Sequence, residues 1–225
     1  MVCDEYQCIF VHIPKTAGQS IEHFFLDLVG LSWDERAPLL LRSNTDPKLG
    51  PEKLGHLTAS EYVDCHYLSQ ETFKTYHKFS FVRNPWERLV SEYFFHLYNR
   101  KFSFKDFVLR GLPEKNMKDV YRHIMPQYDF LYSSQGELLV DFVGKFENLQ
   151  ADFNVVCETL NIKNTTLPHI NAYKPMKTIR SILKNFLLSR SRKNGYTDYY
   201  DTMLQEVVAE MYQKDVEAFG YQFGE

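Results

Sequence analysis

The sequence predicts an α/β fold, with a central, mainly parallel sheet flanked by helices. Two observations carry that prediction. Three short, mainly apolar runs of strand length occur at residues 8–13, 79–82 and 138–143, and the first is of the kind that forms a buried parallel strand. Each run then passes through a polar turn into a segment of helical periodicity, and strands alternating with helices build parallel sheets.

The first unit joins the strand at 8–13 to a helix beginning near Ser20, whose apolar positions Ile21, Phe24, Phe25, Leu28 and Val29 recur at helical spacing. Between them lies Pro14-Lys15-Thr16-Ala17-Gly18-Gln19. Such a loop aims unpaired backbone N–H groups, at the positive end of the helix dipole, beyond the strand end. With Lys15 added, the expected occupant is an anion, and a phosphate above all. The nucleoside triphosphate loop G-x-x-x-x-G-K-[ST] carries its lysine after the second glycine. Here Lys15 precedes Gly18 and no earlier glycine opens the loop, so the cradle suits one phosphate with one attached group. The plainer alternative is a strand–helix turn with an exposed lysine.

Residues 32–53 hold three prolines and read as an irregular excursion able to shape a cleft. The second unit runs from 79–82 through Arg83-Asn84-Pro85 into a helix over 86–98, with Asn84 a good N-cap and Pro85 suited to the first helical position. Arg83 leaves a strand end, where its guanidinium can grip a phosphate with a bidentate fork. Asn84, Arg88 and Ser91 share one helix face, so Ser91 can add a hydroxyl to the same anion. The alternative is that Arg83 forms a structural ion pair. The third unit takes 138–143 through Gly144-Lys145-Phe146-Glu147-Asn148 into a helix reaching about residue 160. Segment 201–219 reads as one structural amphipathic helix. Neither repeats nor low-complexity linkers interrupt the chain, so residues 1–225 are expected to form one domain.

Composition narrows the function classes. Hydrophobic residues make up 44% and aromatics 16%, which opposes disorder. A formal net charge of −3 leaves no general basic footprint for nucleic acid. Cys3, Cys8, Cys65 and Cys157 show neither metal-like nor C-x-x-C spacing, so neither a disulfide framework nor zinc is indicated. No run approaches a transmembrane span, and the first strand starts too early for a signal peptide.

Two anion-binding turns at the same end of one sheet imply a ligand with two separated phosphates. HIPKTAGQS (12–20) and VRNPWERLVSEYF (82–94) resemble the two nucleotide-binding signatures of the sulfotransferases, in the variant of the carbohydrate family that includes heparan sulfate 2-O-sulfotransferases and bacterial relatives. LGHLTASEY (54–62), HIMPQYDFL (123–131), FVGKFENL (142–149), LPHIN (167–171) and YQKDVEAFGYQF (212–223) follow in the family's order. The resemblance implies a P-loop-like three-layer fold and 3′-phosphoadenosine-5′-phosphosulfate as sulfuryl donor, with no metal.

Carried over by position, Lys15 contacts the bridging oxygen and the sulfuryl group. The backbone of Thr16, Ala17, Gly18, Gln19 and Ser20, with the Thr16 and Ser20 hydroxyls, holds the 5′-phosphate. Arg83 and Ser91 hold the 3′-phosphate. His56, in Lys53-Leu54-Gly55-His56-Leu57, matches the family's general base, and histidine titrates near neutrality. Glu61 and Glu22 are the substitutes to consider if His56 is not the base. His12 is expected to orient backbone, and His123 and Gln127 to contact the acceptor. Residues 174–193 carry seven basic side chains and no acidic one, either a solvated face or a strip steering a polyanionic glycan. The expected partner is a hydroxylated acceptor, a glycan or glycan precursor. The expected location is the cytoplasm, or the Golgi lumen if an anchor precedes the chain. Two rivals stay open: a P-loop nucleoside kinase or hydrolase, and a nucleotide-binding relative without catalysis.

Overall fold

The computed structural model describes residues 1–168 and 195–225, so the basic run 174–193 and most of the 167–171 motif lie outside the described residues. Strands β1 (Val2–Cys3), β2 (Cys8–Val11), β3 (His77–Val82) and β4 (Phe142–Lys145) form one sheet in the order β1-β2-β3-β4. β2, β3 and β4 are parallel, with Phe10 opposite Phe79 and Phe81 opposite Gly144. β1 adds an antiparallel edge, pairing Val2 with Ile9 and Cys3 with Cys8, so the sheet is mixed. A two-residue strand has no periodicity to count, which is why the sequence pattern does not reveal it.

The pleat sorts side chains to two cores. Cys8, Phe10, Phe79 and Phe81 face α1 (Gly18–Leu28), which buries Ile21, Phe24 and Phe25 there. The Leu149–Thr159 helix joins this layer through Phe153, edge-on to Phe24 at 4.8 Å. Ile9, Val11 and Val82 face the other way, toward Trp86, Leu89, Val90 and Tyr93 of the Pro85–Phe95 helix and Leu204 and Val208 of the Thr202–Met211 helix. Gly144 is required where β4 meets β3, because a Cβ there would stand 2.4 Å from the Phe81 ring.

Three element boundaries move from the sequence expectation. The third strand begins at Phe142, not at residue 138: the Leu139 N–H donates to Leu131, and the ladder to β3 starts only after the Asp141 N–H reaches the Lys78 carbonyl. The 86–98 helix ends at Phe95, and Leu97 follows with a φ of 59°. The 201–219 helix is two, Thr202–Met211 and Gln213–Phe219. The break is at Tyr212, whose buried hydroxyl donates to the Ile124 carbonyl at 2.7 Å. Residues 32–53 are irregular as expected, with short 3-10 turns at Trp33–Glu35, Ala37–Leu39 and Pro47–Leu49. Among the described residues no helix is long and apolar enough to cross a membrane.

Candidate active site

The chain leaves β2 and turns into α1 with Lys15 and Ala17 both in the left-handed region, at φ 74° and 68°. Neither is glycine, so the turn is strained and needs bracing. Thr16 supplies one brace: its buried hydroxyl donates to the Ile13 carbonyl at 2.8 Å. That hydroxyl is turned into the loop and does not line the cavity, which corrects its expected part in holding a phosphate. His12 supplies the second. Its ring lies against Gly18 so closely that a Cβ would stand 2.0 Å away, so only glycine fits. Its Nδ1–H donates to buried Glu22 at 2.6 Å. Burial works to raise the Glu22 pKa, but His12 draws it below the usual value. His12 thus orients the loop, as expected.

The second turn is held from three sides. Asn84 Oδ1 caps the helix by accepting from the Trp86 and Glu87 N–H groups, and Pro85 fills the first position. The Glu147 carboxylate accepts from the Asn84 N–H at 2.7 Å. Gln127 brackets Arg83, accepting from its N–H and donating to its carbonyl, both at 2.8 Å, while also donating to buried Asp215. Gln127 is fully buried and does not line the cavity, so its expected acceptor contact is corrected to support of this turn. The Arg83 guanidinium pairs with Glu87 at 2.7 Å, donates to the Lys15 carbonyl at 3.2 Å, and lies 4.0 Å from the Phe146 ring centre. The structural ion pair is therefore real, and Arg83 lines the cavity as well.

Helix spacing puts Arg88 on one face with Asn84 and Ser91. Arg88 is buried and spends its donors on four backbone carbonyls: Pro14, Met125, Arg122 and His123. It rivets the start of the Lys15 loop to the chain around His123.

The third contribution comes from the Leu54–His56 turn. His56 Nδ1 stands 2.5 Å from Asp119, whose other oxygen takes the Lys53 ammonium at 2.7 Å. Arg122 donates to the His56 carbonyl at 2.9 Å and grips Glu61 with both arms. Burial pushes His56 down to about 4, against the hydrogen bond to Asp119 that pulls it up. Burial alone would raise Asp119, but hydrogen bonds from His123 and His56 hold it ionised well below the usual range. A carboxylate only accepts, so His56 carries its proton on Nδ1 and presents a lone pair at Nε2. His123, also buried, donates Nδ1–H to Glu92 at 2.8 Å, with Nε2 3.7 Å from Asp119. Burial would lower His123, yet these two carboxylates raise it. Glu92, fully buried, also pairs with His96.

These pieces surround a cavity of about 450 Å³. Of the predicted site residues, Lys15, Ala17, Gly18, Gln19, Ser20, His56, Arg83, Ser91 and His123 line it together; Thr16 and Gln127 do not. Glu22 and Glu61, the substitute bases, do not line it either. Sequence reasoning missed the lining residues Lys53, Phe94, Phe95 and Phe146, and the support from Asp119 and Arg88. Lys53, Arg88, Phe94 and Phe146 stand inside motifs already singled out, whereas Phe95 and Asp119 lie outside them. Among the described residues the lining holds Lys15, Lys53 and Arg83 and no carboxylate, so the cavity favours an anion. Two groups, His56–Asp119–His123 and Glu92–His96–His123, bring three possible metal donors within 4.8 Å of one another. Within each group the imidazoles pair with the carboxylate.

Comparison with known proteins gives the family. The chain is 22% identical to carbohydrate sulfotransferase 14 of Danio rerio over 85% of this chain and 60% of that protein. It is 26% identical to carbohydrate sulfotransferase 14 of Mus musculus over 70% of this chain and 45% of that protein. The chain thus spans about half the length of the curated relatives it matches. An uncharacterised protein of Archaeoglobus fulgidus is 30% identical over 46% of this chain and 83% of its own length. No solved structure matches. The pattern of the sulfotransferase family covers residues 1–222, both turns and the His56 segment included, and the chain belongs to that family.

Proposed function

We propose that the chain transfers a sulfuryl group from 3′-phosphoadenosine-5′-phosphosulfate to a carbohydrate hydroxyl, with His56 as general base and Lys15 stabilising the departing phosphate oxygen. The observation that carries this reading is the cavity lined by Lys15, Lys53 and Arg83 without a carboxylate among the described residues, entered by the N-terminus of α1 and by His56. That donor set fits the nucleotide. Lys15 and the Ala17–Ser20 backbone stand where the first turn enters α1, Arg83 on the second turn and Ser91 on the helix after it, which suits a ligand with two separated phosphates. The early lysine, against the order of a nucleoside triphosphate loop, favours this reading over a kinase. The acceptor class is supported by the two relatives named carbohydrate sulfotransferases.

When bound, the nucleotide supplies the sulfuryl group; the rest is done by the chain. Arg83, aimed by Glu87 and Phe146, binds one anionic group. The Lys15 ammonium opposes negative charge growing on the leaving oxygen, so it stabilises the transition state more than the ground state. His56 takes the acceptor proton at Nε2, while Asp119 holds Nδ1–H and stabilises the imidazolium that forms.

Transfer of radiolabelled sulfuryl groups to a panel of oligosaccharides tests the proposal. Wild type should label at least one acceptor. Lys15→Ala should lower kcat by on the order of 10²–10³, as for a lost oxyanion donor. His56→Ala should cut transfer by roughly 10²–10⁴ with nucleotide affinity nearly unchanged. Tight nucleotide binding with no transfer to any hydroxyl would instead favour a non-catalytic relative.

A further inference from the structure

Phe95 is a large apolar side chain left 53% exposed in a cavity of cations and imidazoles. It is the last residue of the Pro85–Phe95 helix, and its ring is held by neighbours. His123 stacks on it with ring centres 5.4 Å apart and planes 16° from parallel, and His96 meets it edge-on at 4.9 Å. The Lys15 ammonium stands 3.6 Å from the centre of the Phe95 ring. At the other end of the same residue, the Lys15 carbonyl is tied to Arg83 and its backbone sits at φ 74°. Lys15 is therefore anchored at both its backbone and its tip.

We propose that Phe95 is the positioning residue of Lys15, its ring holding the ammonium in place at the cavity wall. This rests on the reading above in giving Lys15 its catalytic part. The negative face of a benzene ring attracts an ammonium, and the attraction grows as water is displaced. A carboxylate in that place would also fix the ammonium but would cancel the charge the reaction needs. An aromatic ring fixes it without cancelling the positive charge. A charge held ready costs no reorganisation when the leaving oxygen becomes negative.

The test has two readouts on the full chain. In the first, the Lys15 ε-methylene resonances of wild type should be shifted upfield by the ring current of Phe95, and Phe95→Leu should abolish that shift. In the second, Phe95 is replaced by mono-, di- and trifluorophenylalanine, which weaken the ring's negative face while keeping its shape. kcat should fall stepwise across the series, by roughly 2- to 30-fold in total, with the donor KM moving less than about twofold. Phe95→Tyr, which keeps the ring, should retain the shift and most of the activity. A Lys15 methylene without upfield shift in wild type overturns the proposal, as does a kcat level across the fluorinated series. An active enzyme with a level series sinks this inference alone. A shifted Lys15 in a protein that transfers nothing sinks the catalytic reading and leaves Phe95 as its positioning residue.

Discussion

At His56 the outcome turns on the proton count of a single nitrogen. Burial pushes this side chain to about 4, so the imidazole is neutral across the physiological range and its Nε2 lone pair is available. The pH dependence follows with a definite sign. In the free enzyme the acid limb of kcat/KM should lie near pH 4 to 5, where an unshifted histidine would place it at about 6.5. Bound phosphates favour the imidazolium, so the limb of kcat should lie at higher pH than that of kcat/KM. A kcat/KM limb at about 6.5 would remove His56, as the structure places it, from the base role. The same depression bears on stability: the unfolded chain takes up the proton below about 6.5 and the folded one does not until about 4. Stability from this group is therefore present above 6.5 and lost as pH falls toward 4. Asp119 supplies the orientation. Asp119→Asn can donate to Nδ1 and select the wrong tautomer, and should lower kcat on the order of 10²–10⁴ with little change in nucleotide affinity. Steady-state kinetics decides it, and a kcat within about threefold of wild type would show that Asp119 does not set the histidine.

At the scale of elements, the two turns are held by side chains from elsewhere as well as by their own Thr16 and Asn84. Arg88 does this for the Lys15 loop, reaching from the Pro85–Phe95 helix to the carbonyls of Pro14, Arg122, His123 and Met125. Its removal leaves four buried acceptors with lost donors. Arg88→Ala should therefore destabilise the fold by about 3–5 kcal/mol, at the high end for one substitution. Arg88→Lys should recover less than half, because an ammonium cannot reproduce the planar fork. Urea unfolding midpoints measure both, and an Arg88→Ala loss below about 1 kcal/mol would show that water replaces the guanidinium freely. Gly18 makes the converse case, a position set by close approach. Gly18→Ala must displace the His12 ring, 2.0 Å from the new Cβ, and should weaken nucleotide binding while the sheet core stays intact. Isothermal titration with 3′-phosphoadenosine-5′-phosphate checks this, and an unchanged affinity would mean that the ring moves aside without moving the loop.

For the whole molecule, the cavity draws on residues from His12 to Phe146 and exists only when β2, β3, β4 and the Leu54–His56 turn have all assembled. The unfolded chain cannot bind the same ligand, so binding is felt as stability. At a hundredfold excess over Kd, 3′-phosphoadenosine-5′-phosphate should stabilise the fold by about 2.7 kcal/mol, raising Tm by roughly 5–10 °C. The shift should appear without Mg²⁺ and exceed that from ATP. A larger shift from ATP with Mg²⁺ would favour the kinase reading. The C-terminal helices take part from a distance: Asp215 on the Gln213–Phe219 helix accepts from the Gln127 and Tyr128 N–H groups, and Gln127 holds Arg83.

What could be read from the sequence by itself is what neighbours along the chain decide. Strand-to-helix alternation, the Asn84-Pro85 helix start and the two turns with Lys15 and Arg83 all follow from local pattern, and the structure keeps them. The sequence also placed Ser20, Ser91, His56 and His123 at the site, because each sits at a fixed offset inside a recognisable motif. Tertiary structure decided how each side chain is used. Thr16 and Gln127 had the right chemistry and place for ligand contact, yet their polar groups are consumed by Ile13, Arg83 and Asp215. Arg88 shares a helix face with Ser91 and points into carbonyls from two other segments. Asp119 lies 63 residues from His56 and sets its tautomer all the same. The physical reason is common to these cases. A buried polar group must find its partner wherever the fold brings one within about 3 Å, and that partner is set by packing, not by spacing along the chain.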